Sequence, residues 1–96
     1  MNVMSQDRNI FVHGEKIESM QAVRPICEGE PFDVVCWTVS GKCYTMAEYS
    51  AGELATFEIE RYRGEYESGW ETFSFGDESW VSNALTRQRG YEKRTA

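Results

Sequence analysis

The chain has 96 residues and a mass of 11.1 kDa, room for one compact domain over residues 1–96. Sixteen Asp and Glu against ten Lys and Arg give a net charge of −6. This balance argues against a direct nucleic-acid binder and against binding to anionic membranes. A hydrophobic fraction of 41%, with three Trp, five Tyr and five Phe, argues against disorder.

The first ten residues, MNVMSQDRNI, lack the apolar core of a secretory signal. The longest apolar run, Val34-Val35-Cys36-Trp37, falls far short of the roughly 20 residues that cross a bilayer. Cys27, Cys36 and Cys43 are odd in number and contain no CxxC pair, so reduced thiols and a cytoplasmic location are expected. Residues 1–8 and 91–96 are polar and expected to fray.

Asn9-Ile10-Phe11-Val12, then His13-Gly14, then Glu15-Lys16-Ile17-Glu18 reads as a hairpin turning at His13-Gly14. Residues 25–33 hold both prolines and read as a loop. Residues 33–46 give the clearest hairpin signal, with a two-residue turn at Ser40-Gly41. That turn pairs Trp37 with Tyr44 and Cys36 with Thr45. It sets Val35, Trp37 and Val39 on one face with Tyr44 and Met46.

Residues 54–63, LATFEIERYR, are open to two readings. Alternation and β-rich composition favour a strand, while Ala55, Ile59, Tyr62 and Tyr66 also fall at helical spacing behind a Ser50-to-Glu53 capping box. Residues 70–75 alternate as a strand, and residues 77–89 form an amphipathic helix with Asp77 as N-cap and Gly90 as the stop. The expected fold is α+β: an antiparallel, hairpin-rich sheet of about five strands with one C-terminal helix packed on it.

The charge is unevenly placed. Residues 1–27 are neutral, residues 28–78 carry −9, and residues 79–96 carry +3. The opposite segments either attract each other within the fold or form two separate surfaces. On a strand, Glu58 and Glu60 share a face about 6.7 Å apart. Glu53, Glu58, Glu60, Glu65, Glu67 and Glu71, interleaved with Tyr62, Tyr66 and Trp70, are then the candidate contact residues.

Motifs for catalysis and cofactors are missing. The spacing suggests no His13–Cys pair, and two exposed carboxylates lack the burial that would split their pKa values. Cys-x8-Cys-x6-Cys is not zinc spacing, no calcium loop is present, and no GxGxxG or P-loop appears. No catalytic residue, metal site or cofactor is expected. The expected function is a small acidic protein–protein inhibitor of the kind phages and mobile elements encode. It would occupy a basic nucleic-acid-binding surface of a nucleic-acid-handling protein, as nucleic-acid mimics among anti-CRISPR proteins do. A non-catalytic accessory or scaffolding module with an aromatic, sheet-edge interface is the alternative, and a small ligand-binding domain a third. The chain would be a monomer or a homodimer.

Overall fold

The computed structural model describes the backbone of residues 1–95 and the side chains of residues 1–90. The fold is α+β, with six strands in two three-stranded sheets and two helices. The first sheet has the order β2-β1-β6, from β2 (Phe11–His13), β1 (Asn2–Met4) and β6 (Thr72–Ser74). Its pairs are antiparallel for β1–β2 and parallel for β1–β6. The second is an antiparallel meander of β3 (Ile17–Val23), β4 (Phe32–Thr38) and β5 (Cys43–Tyr49). Helices α1 (Gly52–Glu67) and α2 (Glu78–Thr95) complete the chain.

Two expectations about the N-terminal region are corrected. Residues 1–8 do not fray; they supply the central strand of the first sheet, with Val3 and Ser5 buried. His13-Gly14 is not a hairpin turn. His13 has an extended φ of −70°, and a short 3-10 turn over Gly14–Lys16 carries the chain from one sheet to the other.

Residues 54–63 are helical. Leu54, Ala55, Glu58, Ile59 and Tyr62 are buried at i, i+1, i+4, i+5 and i+8, the stripe that a helix turns toward a core. The local alternation misleads because one of the buried positions is a carboxylate, whose burial depends on partners distant in sequence. Gly64 lies inside the helix, which ends instead at a Schellman motif. There Gly69 N–H donates to Tyr66 C=O and Trp70 N–H to Glu65 C=O. Gly69 occupies the left-handed position of that motif at φ +81°, which any side chain would strain. The expected capping box is not made either: Ala51 is the N-cap, and Ser50 is held by the Glu78 carboxylate.

The hairpin at 33–46 forms with a different register. Its loop has three residues, Val39 to Gly41, closed by Gly41 N–H to Thr38 C=O and Thr38 N–H to Lys42 C=O. Trp37 therefore pairs with Cys43 and Cys36 with Tyr44. A bulge at Met46 restores the expected register for Phe32, Asp33 and Val34. The inward face carries Val34, Cys36 and Thr38, and Trp37 and Val39 point outward. Small and medium side chains suit this face, since Val34, Cys36 and Ala47 share a core cluster with Ala55 of α1.

Helix α2 starts as expected, with Trp80 N–H donating to Asp77 Oδ1 at 2.9 Å. Val81 is fully buried, while Trp80 next to it is 44% exposed. The helix backbone continues through Gly90 to Thr95, and the side chains of residues 91–96, where fraying was expected, lie outside those described.

All three cysteines are free, and Cys36 and Cys43 sit on opposite faces of their hairpin. Burial first, and the neighbouring Cys43 thiol second, push the Cys36 thiol from 9.0 up to about 11. Its contribution to stability is fully present below the unfolded thiol value and is lost as pH rises from 9 toward 11. A thiol reagent should therefore label Cys27 and Cys43 at once in native protein and Cys36 only on unfolding. The urea midpoint should fall through the same alkaline window. Immediate labelling of three thiols would contradict this packing.

Candidate functional site

The helical geometry of α1 divides the predicted contact residues into three groups. Glu58 and Tyr62 are buried and present no contact surface. Glu53 and Glu65 are committed to ion pairs, Glu53 with Arg89 of α2 and Glu65 with Arg61. The Arg89 pair shows that the acidic middle and basic end attract each other within the fold. Glu60, Glu67, Glu71, Tyr66 and Trp70 remain at the surface.

Among the described residues, Glu60, Glu67 and Glu71 have no ion-pair partner. Glu53, Glu60 and Glu67 fall seven residues apart and share one helix stripe, with the exposed Arg63 beside it. Tyr66 lies about a third of a turn away, so the aromatic and acidic positions do not form one face. Glu58 and Glu60 point to opposite sides of the helix, which removes the paired-carboxylate geometry that a strand would give.

The carboxylate lost from the surface organises the interior. Arg61 grips Glu58 with two hydrogen bonds, Nε to Oε2 and Nη2 to Oε1. Gly76 N–H donates to Glu58 Oε1 at 2.8 Å, and Arg61 Nη2 also donates to Ser74 C=O at 2.8 Å. Gly76 C=O accepts from Tyr49 Oη at 2.7 Å and from Gln6 Nε2 at 3.1 Å. The Arg61 guanidinium lies between two rings, 4.3 Å from the Phe73 centroid and 4.7 Å from that of Trp80. Burial alone would lower the Arg61 pKa, but the Glu58 hydrogen bonds and charge, followed by Glu65, hold it above its ordinary value. Burial, then the Glu58 charge, pushes the Tyr49 phenol up, so it stays a neutral donor at physiological pH.

Gly76 is required by close approach. A Cβ there would come within 2.7 Å of Trp80 Cε3 and 3.3 Å of Glu58 Oε1. Sequence reasoning missed this cluster, although Glu58, Arg61 and Glu65 have i, i+3 and i+4 ion-pair spacing, a signal for helix over strand.

The exposed apolar surface has a separate centre. On the outer face of the β3-β4-β5 sheet, Val35 and Trp37 are flanked by Gln21 and Ser19 on one side and by Thr45 and Cys43 on the other. Trp37 is 42% exposed with the exposed Val39 beside it, Val35 is buried, and the exposed Val23 lies four residues further along the sheet, opposite Asp33. The two edges of this sheet differ. Gln6 covers the β5 edge, donating its N–H to Met46 C=O and accepting from Glu48 N–H. The β3 edge pairs with no further strand. No protein family, curated protein or solved structure matches this chain. Among the described residues, no group of three or more His, Cys, Asp or Glu could hold a metal ion. No described helix is long and apolar enough to cross a membrane.

Losing one member of a buried ion pair costs about 3–5 kcal/mol, because the other charge stays behind unpaired. Glu58→Gln should therefore lower the urea-derived stability by about 3 kcal/mol or unfold the chain outright. Glu60→Gln and Glu67→Gln should each stay within about 0.5 kcal/mol of wild type.

Proposed function

We propose that the protein is a non-catalytic protein-interaction module whose contact surface is the outer face of the β3-β4-β5 sheet and its open β3 edge. The observation that carries this reading is the position of Trp37. It stands on the central strand next to the β4–β5 loop, 42% exposed on the face opposite the core side chains Val34 and Cys36, with the exposed Val39 two residues on. An exposed tryptophan held on a rigid strand is a common binding anchor. An unpaired strand edge offers backbone donors and acceptors for strand addition. The net charge of −6 serves solubility and steers association toward partners of opposite field.

A second reading, an acidic inhibitor that occupies a basic nucleic-acid-binding surface in the manner of an anti-CRISPR protein, draws on Glu60, Glu67 and Glu71. These are the three proposed contact carboxylates without an ion-pair partner among the described residues. The first reading is favoured because the acidic face has lost four members to the core and to internal pairs, with Tyr62 and Glu58 buried and Glu53 and Glu65 committed.

Cross-linked capture from a lysate of the native host, followed by titration of the recovered partner, separates the two. Trp37→Ser should weaken binding by at least about tenfold, with little dependence on salt. The triple change of Glu60, Glu67 and Glu71 to Gln should leave it within about threefold. Loss of binding in the triple variant, with a steep salt dependence in wild type, would reverse the assignment.

A further inference from the structure

We propose that the cleft between the β1–β2 loop, the end of α1 and the start of α2 binds a small planar aromatic molecule carrying one anionic group. The cleft has a volume of about 500 Å³, and its walls include Gln6, Arg8, Arg61, Trp70, Phe73 and Trp80. That volume lies within the roughly 300–1,000 Å³ of sites that hold small ligands. The site is distinct from the sheet face assigned above, and neither assignment depends on the other.

The aromatic half of the ligand follows from two indoles. Trp70 is 61% exposed and Trp80 44%, yet both face the same cleft. Neither indole is free to swing away with a loose segment. The Schellman motif fixes the backbone at Trp70, and Asp77 caps the helix turn that carries Trp80. Rigid aromatic faces beside a concave surface suit a flat ring that stacks.

The anionic half follows from a count of uncommitted charge. Arg61 forms part of the wall, but four of its five N–H donors are taken by Glu58, Glu65 and Ser74 C=O, and two carboxylates offset its charge. The acids on the wall are engaged too, Glu65 by Arg61 and Asp77 by the Trp80 N–H. Arg8 is the exception. Among the described residues its guanidinium meets only the Met4 sulfur, at 4.0 Å, a weak acceptor. A planar fork of donors at the mouth of an aromatic cleft matches a carboxylate or a phosphate.

The backbone at Arg8 supplies an independent reason. Among the described residues it is the one non-glycine position with positive φ, at 66°. The loop holds it there: Arg8 N–H donates to Ser5 C=O, Asp7 accepts from Ser5 Oγ and Asn9 N–H, and Ser5 N–H closes the loop on Ile10 C=O. Glycine or asparagine takes this conformation at lower cost. An arginine kept in a strained position on a ligand-sized cleft is the pattern expected where the side chain is needed. The −6 charge of the whole chain favours a small partner with one anionic group over a polyanionic strand.

Isothermal titration of the full chain with adenosine 5′-monophosphate and with indole-3-acetate tests the proposal, since each joins a planar ring to an anion. Adenosine, indole and inorganic phosphate each lack one half. Micromolar binding of either full probe is expected, and whichever binds identifies the anion as phosphate or carboxylate. Arg8→Gly should weaken that binding by about tenfold or more and at the same time raise the melting temperature. Arg8→Asn should do the same in lesser degree. Trp70→Ala should weaken binding with the fold retained. Any of four results overturns the proposal: no binding of either full probe up to millimolar concentration; a half-probe that binds as tightly as the full one; wild-type affinity in Arg8→Gly; or a melting temperature that falls in both Arg8 variants.

Discussion

A fully buried carboxylate sets the conditions that the rest of this fold meets. Glu58 is removed from water, and an unpaired carboxylate there would cost several kcal/mol or force protonation. The chain answers with Arg61 one helical turn away and with the N–H of Gly76, which lies 18 residues further on. Meeting that requirement fixes where β6 ends, where α2 begins and how closely both approach α1. Gly76 then passes the constraint outward, because its C=O collects Tyr49 from β5 and Gln6 from the β1–β2 loop. Two sheets that share no strand are thereby joined through one peptide unit. Every buried side-chain polar atom among the described residues has a partner, so the cluster carries no unpaired group to weaken it.

The same interaction changes what the charge of the protein means. Twelve acids in residues 28–78 suggest a broad negative face. Five of them have internal duties: Glu58 and Glu65 hold Arg61, Glu53 holds Arg89, Glu78 holds Ser50, and Asp77 caps α2. The carboxylates left over lie on different elements and sides of the molecule. A charge count along a sequence therefore overstates an acidic face whenever part of it is spent on caps and pairs. The register changed the surroundings of Trp37 as well, since the three-residue loop sets Cys43 and Thr45 beside its face in place of Tyr44 and Met46.

What was legible in the sequence was local, and what was not depended on distant partners. The helix at 77–89 was readable because its cap, its dipole complement and its apolar stripe all lie within its own residues. The loop at 25–33 and the strand around Phe73 were readable from prolines and alternation. The 33–46 hairpin was visible, but its register was not, since a shift from a two- to a three-residue loop re-pairs β5 with β4 as far as the Met46 bulge and leaves composition unchanged. Helix α1 was misread because LATFEIERYR fits both periods. The deciding contacts, Gly76 N–H on Glu58 and the Phe73 and Trp80 rings on Arg61, come from 12 to 19 residues downstream. The first strand was missed for a related reason. Three residues with one strongly apolar side chain have no periodicity of their own, and Val3 is buried only because β2 and β6 flank it.

The cleft at Arg8 is an outgrowth of this central cluster. Its walls come from the β1–β2 loop, from α1 and from the β6–α2 connection, the elements that converge on Gly76. Gln6 anchors the loop by bonding at once to Gly76 and to the β5 backbone at Glu48. That double anchorage lies two residues from Arg8 and holds the loop against the strain that its left-handed backbone stores. Arg61, with its charge offset by Glu58 and Glu65, contributes a flat, partly buried surface instead of a competing cation. A cation with no ion-pair partner among the described residues, next to one paired with two carboxylates, gives the cleft one main point of charge recognition and a rigid aromatic wall. Pre-organisation of this kind lowers the entropic cost of binding, and it comes from the polar cluster that the fold already needs for stability.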